Sequence, residues 1–170
     1  VDRSVSYFKR MRDYNEQLQD LASHDPLTKV FNAGAYFRAC DHQIHVSQRN
    51  QQTFAVLFID LDHFKSINDN YGHAIGDKVL ATFGEAARSV LREVDILSRW
   101  GGEEFLLLMP KTNNGHPNTG IERLRAYLAC IEVCPEIADL RIHFSVGFTC
   151  YQKGESIYDT IKRADMALYQ

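Results

Sequence analysis

Three features of the sequence predict an α/β sandwich, a central sheet flanked by helices. Helical and strand periodicities alternate along the chain. Residues 54–59 form an unbroken apolar run with the length of a strand buried on both faces. Gly101-Gly102-Glu103-Glu104 separates two short apolar segments, the signature of a β-hairpin.

Taken in order, residues 1–22 read as a helix. Tyr7, Met11, Tyr14, Leu18 and Leu21 follow the 4-3-4-3 spacing of a coiled-coil seam, with Lys9, Arg12, Asp13 and Glu16 off it. The pattern fits a dimerising linker from an upstream module, and also an amphipathic helix lying on its own domain. Ser23-His24-Asp25-Pro26 ends it, because the residue before proline avoids α geometry. Asn32 can cap a second helix reaching about residue 48, and polar residues 48–53 turn into the strand at 54–59. A short helix over 64–70 stops at Gly72. A longer one starts near Gly76-Asp77 and runs to about 93, with Val79, Leu80, Phe83, Ala87, Val90 and Leu91 on its apolar face. Strands over 96–100 and 105–109 flank the Gly-Gly-Glu-Glu turn, whose two glycines can supply positive φ. Residues 118–133 read as a helix, 141–150 as a strand and 157–169 as a helix.

A chain of 170 residues, 45% hydrophobic and 24% charged, is sized and composed for one globular domain with a short extension. Its net charge of -3 and lack of a basic run exclude wholesale binding to nucleic acid, although one local cation cluster suffices for a small anion. The four cysteines, Cys40, Cys130, Cys134 and Cys150, form no CxxC pair and read as small buried thiols in a reducing compartment. Cys130 and Cys134, four residues apart, are expected on one helix face. No apolar run reaches the length of a membrane span, and no signal-peptide pattern opens the chain. The expected location is cytoplasmic, without direct membrane contact from this segment; an anchor elsewhere in the parent protein is left open.

The chemistry concentrates where strands end. Asp60 and Asp62 close the apolar run, and Glu103-Glu104 sit at the hairpin tip. A carboxylate at the end of a buried strand is costly unless it meets water or a cation. Carboxylates from two neighbouring strand ends suit Mg²⁺, which takes oxygen ligands and shares them with substrate phosphates. Glycines beside them let backbone approach a phosphate closely. Metal-assisted phosphoryl or nucleotidyl transfer fits this combination. Each cluster alone would equally serve as a solvated acidic turn.

Arg99-Trp-Gly-Gly-Glu-Glu-Phe105 resembles the GGDEF/GGEEF signature of diguanylate cyclases. Those last five residues arise by chance in roughly one chain of this length in ten thousand. Asp25-Pro-Leu-Thr28 with Asn32 resembles the family's opening DPLTGLxNR motif. The stretch 60–77, Asp-Leu-Asp-His-Phe-Lys-Ser-Ile-Asn-Asp-Asn-Tyr-Gly-His-Ala-Ile-Gly-Asp, resembles its DxDxFKxxND…GHxxGD block, and 162–169 its ADxALY helix. The resemblance covers residues 23–170. It implies a central mixed, mainly antiparallel sheet flanked by helices, similar to the palm (ferredoxin-like) fold of nucleotide cyclases and polymerases.

It also implies a reaction. Two GTP molecules, one per subunit of a homodimer, would condense into cyclic di-GMP and two pyrophosphates. By matching position Asp60, Glu103 and the carbonyl of Leu61 would hold Mg²⁺, or Mn²⁺ in its place, with Glu104 assisting. Glu103 is the candidate acceptor of the 3′-hydroxyl proton, and Lys65 would meet phosphate charge. Asn68 and Asp77 match guanine-reading positions; His73, Phe64 and Leu27 match others near the substrate. A carboxylate at Asp77 can accept from guanine N1 and N2, a donor pair adenine lacks, so ATP should be rejected. Arg92-Glu-Val-Asp95 lies at the family's spacing for an inhibitory product site, with Arg123 as an auxiliary contact. Arginine can grip guanine O6 and N7 or phosphate, while an Arg and Asp three apart also form an ordinary ion pair.

Departures from the family pattern are Lys29 for the usual glycine and Ala33-Gly34 for the usual arginine. The family continues past the equivalent of Tyr169-Gln170 with a triphosphate-binding Lys and Arg and a final strand. The segment as given is therefore expected to bind triphosphate and turn over less well. A nonproductive domain that senses cyclic di-GMP through Arg92 and Asp95 is the alternative function. A cyclase making a cyclic adenylate is disfavoured by Asp77.

Overall fold

The alternating environment of one strand organises the molecule. The computed structural model describes residues 3–110 and 118–169. Strand β1 (Phe54–Leu61) lies between β3 (Glu104–Pro110) and β4 (Phe144–Cys150), and β2 (Ile96–Gly101) pairs with the far side of β3. All three pairings are antiparallel. Of the mixed sheet expected, the described residues show parallel pairing only as an isolated bridge between Phe31 and Ser98.

Successive side chains of β1 enter different cores, which is why its sequence is apolar without a break. Ala55, Leu57, Ile59 and Leu61 join Phe105, Leu107, Phe83, Leu124 and Leu128 on one face. Phe54, Val56 and Phe58 join Leu106, Leu108, Tyr36, Ile161 and Ala164 on the other. Each fully buried Leu, Ile or Phe contributes roughly 1.5–3 kcal/mol. The first core is covered by α3 (Phe64–Tyr71), α4 (His73–Val90) and α5 (Asn118–Cys130); the second by α2 (Ala33–Asn50) and α6 (Ile157–Leu168).

Local signals set most helix ends. Asn32 accepts from the Ala35 amide at 2.9 Å and donates to the Ala22 carbonyl at 3.0 Å, so it starts α2 and ties down the end of α1 (Arg3–Ser23). Ser156 caps α6 through the Asp159 amide. Other boundaries move. Helix α4 begins at His73, three residues before the expected start, and ends at Val90 rather than 93. Gly76 is inside the helix because a Cβ there would overlap the side-chain oxygen of Asn68, so the residue permits α3 and α4 to close on each other. Helix α5 stops at Cys130, short of 133, so Cys130 and Cys134 do not share a helix face. Cys134 is buried beyond the helix and donates to Glu136 at 2.6 Å; all four cysteines are free thiols, Cys130 exposed. Strand β4 starts at Phe144 instead of Arg141, and the hairpin needs positive φ only at Gly102 (φ 50).

On α1 the side chains of Tyr7, Met11, Tyr14 and Leu18 are 43–62% exposed, so this seam is not laid against the rest of the domain. The side chain of Leu21, the fifth seam residue, lies outside the described residues. Among the described residues no helix is long and apolar enough to cross a membrane.

Candidate active site

Antiparallel register brings the two acidic strand ends together. Asp60 of β1 stands opposite Glu104 of β3, and the Leu61 amide donates to the Glu103 carbonyl at 3.2 Å. A cleft of about 370 Å³ opens there, lined by Asp60, Leu61, Glu103, Phe64, Lys65 and Tyr169 among others. Burial pushes the Asp60 carboxyl up, and the charges of Glu103, Asp62 and Asp165 push it further. Glu104 is raised by burial and then by Asp60, Glu103 and Asp165. Asp62 is engaged structurally, its Oδ1 accepting the Ser145 hydroxyl at 2.6 Å.

Across the cleft lies the first turn of α3, with His63 in the left-handed region (φ 58), Phe64 and Lys65. The first amides of a helix lack intrahelical acceptors and carry the positive end of its dipole. One wall is therefore anionic and the other cationic, an arrangement for a polyphosphate whose charge is partly neutralised by a cation. The carboxylates offer only oxygen donors. Among the described residues no three metal-binding side chains converge on one point, so the set is too sparse for a closed structural metal.

The expected base-reading residues lie on the α3–α4 pair. Asn68 sits against Gly76, one residue from Asp77, and its Oδ1 is buried without a hydrogen-bond partner. An orphaned acceptor costs about 1–3 kcal/mol, which a donor from a ligand would recover. His73 and Asp77 are exposed, while Leu27 and Phe64 are half-buried against the first core.

The Arg92–Asp95 turn is closed on itself. Arg92 donates through its guanidinium to Asp95 Oδ1 at 2.8 Å and Oδ2 at 3.3 Å, and its amide donates to Oδ2 at 3.0 Å. The Asp95 side chain is 1% exposed, that of Arg92 43%. Clefts flank Arg92 on both sides, one with His24, Lys29 and Arg88, the other with His42 and Val94. Arg123 is exposed on α5 and lines neither.

Two interactions at the site were not singled out by sequence reasoning. Arg99 donates to the Gly102 carbonyl at 3.0 Å and reaches both Asp25 oxygens at 3.4 Å; Asp25 also accepts the Thr28 amide and hydroxyl. The Asp-Pro-Leu-Thr turn after α1 thus holds the hairpin. Burial raises the Asp25 carboxyl, but the Thr28 bonds and the Arg99 charge outweigh it and hold it below the usual range. The second is Asp165 on α6, whose charge reaches Asp60 and Glu104. Arg99 stands in the motif itself, but its partner is 74 positions away, and Asp165 is linked to the site only by folding.

An antiparallel sheet with helices on both faces, carrying paired carboxylates on a Gly-Gly hairpin beside a helix N-terminus, has the form of a palm-like nucleotidyl cyclase domain. The family described as "Diguanylate cyclase, GGDEF domain" matches residues 22–170, and the chain belongs to it. Curated relatives include diguanylate cyclase DgcP of Pseudomonas aeruginosa, 35% identical over 95% of this chain, and DgcM of Escherichia coli, 36% identical over 91%. The chain spans only 24% and 37% of their lengths. Among solved structures, diguanylate cyclase SiaD of P. aeruginosa, in complex with its activator SiaC, superposes with a TM-score of 0.84 at 38% identity, over 98% of this chain and 64% of that one. The coiled coil and GGDEF domain of DgcB from Caulobacter crescentus, in complex with c-di-GMP, gives 0.86 at 28% identity, over 98% and 88%.

Proposed function

We propose that the chain is the catalytic domain of a GTP-specific diguanylate cyclase. The observation that carries this reading is the pairing of Asp60 with Glu103-Glu104 across the cleft from the first turn of α3 and Lys65. In the reaction the 3′-oxygen of each GTP bonds to the α-phosphorus of the other, the bond to the β-phosphate bridging oxygen breaks, and pyrophosphate leaves. Two GTP thus yield cyclic di-GMP and two pyrophosphates. Asp60, Glu103 and the Leu61 carbonyl would hold Mg²⁺, or Mn²⁺, with Glu104 assisting from opposite Asp60; the ion when bound neutralises phosphate charge. The residues fit that ion, being oxygen donors in which burial, and then the neighbouring carboxylates, already raise Asp60 and Glu104.

Lys65 and the α3 amides orient the triphosphate, and Glu103 accepts the 3′-hydroxyl proton. Asn68 and Asp77 read guanine, with the orphaned Asn68 oxygen supplied by a base donor. One chain supplies one half-site, so catalysis needs a homodimer. The exposed seam of α1, continuing into residues 23–170 as the catalytic unit, is where a second copy pairs. Cyclic di-GMP binds in turn at Arg92, which opens its bond to Asp95, with Arg123 assisting; this is the feedback site. The setting is cytoplasmic, where GTP and a reducing environment suit the free thiols.

The direct test is conversion of GTP with Mg²⁺ by the chain, followed by chromatography of the products. Formation of cyclic di-GMP from GTP, and of no cyclic di-adenylate from ATP, is expected. Absence of product from a chain extended by the family's C-terminal Lys and Arg overturns the reading, and cyclic di-GMP binding in that case selects the sensor function instead.

A further inference from the structure

The ladder between β2 and β3 breaks just before the hairpin tip. Arg99 pairs with Phe105 and Gly101 with Glu104, so Trp100 is an extra residue on β2 with no ladder partner. A bulge of this kind bends its strand and re-aims a side chain, and it leaves the local backbone less tightly held. Trp100 has other support. Its ring meets Phe37 of α2 edge-on, with centroids 5.7 Å apart, and Phe37 in turn lies 5.1 Å from Tyr158 at the start of α6. These rings form a rim cluster over the second core, Trp100 being 37% and Tyr158 65% exposed. The neighbour on one side, Arg99, is held by Asp25, and the neighbour on the other, Gly101, opens the catalytic turn. The glycines that follow have no side chains to anchor, so Trp100 is the last large side chain before Glu103.

We propose that Trp100 is a positioning residue: its ring, seated on Phe37 and backed by Tyr158, replaces the ladder bonds lost at the bulge and holds the Gly101-Gly102 limb of the hairpin that leads into Glu103. The cluster ties the hairpin to α2 and α6, as the Arg99–Asp25 bond ties it to the segment after α1. α6 also delivers Leu168 and Tyr169 to the cleft. The inference rests on the cyclase reading for its kinetic consequence, and its structural consequence stands apart from it.

The test uses the full chain with W100A, W100F and Y158L, each checked by far-UV circular dichroism. W100A is expected to lower kcat about tenfold or more with KM for GTP changed less than about threefold, because the hairpin acts on the reacting geometry and not on base recognition. W100F, which keeps an aromatic ring on Phe37, is expected to recover most of kcat. Hydrogen–deuterium exchange at amides 101–104 should quicken in W100A and stay near wild type in W100F. In Y158L the fluorescence of Trp100, the only tryptophan, should shift to the red. Wild-type kcat with unchanged hairpin exchange in W100A overturns the proposal. If W100A fails to fold, Y158L decides, since its exposed ring lies outside the cores: slower turnover and faster exchange support the clamp, and wild-type values of both overturn it. If the wild-type chain makes no product, the exchange data alone decide the clamp, and the cyclase reading is judged on the chain extended by the family's C-terminal Lys and Arg.

Discussion

Glu103 carries two expected duties, metal ligand and proton acceptor, and the geometry around it separates them from the neighbouring acids. Burial and then the charge of Glu103 raise the Asp60 carboxyl, and burial and then Asp60 raise that of Glu104, whereas Asp62 spends its oxygen on Ser145. Glu103→Gln keeps the shape and removes the charge, so kcat should fall by about 10²–10⁴-fold in a GTP turnover assay while the fold survives. Asp77→Ala removes the guanine acceptor, and the preference for GTP over ATP should shrink by about 10²-fold in competition kinetics. Arg92→Ala should weaken product inhibition at least about tenfold. It also removes the charged partner of the buried Asp95 carboxylate, leaving the backbone amide of residue 92 as a donor, so a stability loss of about 1–3 kcal/mol should appear in denaturant titrations. Undiminished inhibition in that variant would reject the feedback assignment.

At the scale of elements, the connection between α1 and the hairpin is the informative one. Asn32 binds the end of α1, Phe31 bonds to Leu97 and Arg99 along the edge of β2, and Asp25 grips Arg99, which grips Gly102. A rotation of α1 therefore has a short, polar route to the Gly101-Gly102 turn. Asp25→Asn keeps the Thr28 bonds in part but leaves Arg99 without a charged partner in a mostly buried setting, at a cost of about 1–3 kcal/mol. GTP turnover should drop with it. Wild-type turnover in Asp25→Asn would mean the brace is structural only.

For the whole molecule, two behaviours follow. If α1 pairs with a second copy, Leu18→Asp should make the protein monomeric by light scattering and lower activity per subunit at least about tenfold at concentrations where the wild type is dimeric. Stability should also depend on acid. Burial raises Glu155 too, but bonds from Arg163, Gln152 and Thr160 hold it below the ordinary range, as Thr28 and Arg99 hold Asp25. A carboxyl depressed in the folded state stabilises it above the unfolded value, near pH 4, and that contribution is lost as pH falls through the folded value. Urea unfolding should therefore show a decline below about pH 4.5 that flattens in the Asp25→Asn, Glu155→Gln double variant.

Sequence by itself determined what depends on a few neighbouring residues. The helical faces, the Asn32 cap, the apolar β1 run and the hairpin are local patterns of period and turn chemistry, and the fold class follows from their order. The acidic pair at the strand ends, Asp60 and Glu103-Glu104, was legible through its motifs. Tertiary structure alone decided the rest. The sequence pattern puts the start of this helix near Gly76-Asp77; only the approach of α3 explains Gly76 inside α4. Arg92 and Asp95 were readable as a ligand site or an ion pair, and the fold closes them on each other. The Asp25–Arg99 brace, the charge of Asp165 and the seating of Trp100 on Phe37 join residues far apart in the chain. Packing brings such partners together, and no local period in the sequence records who they are.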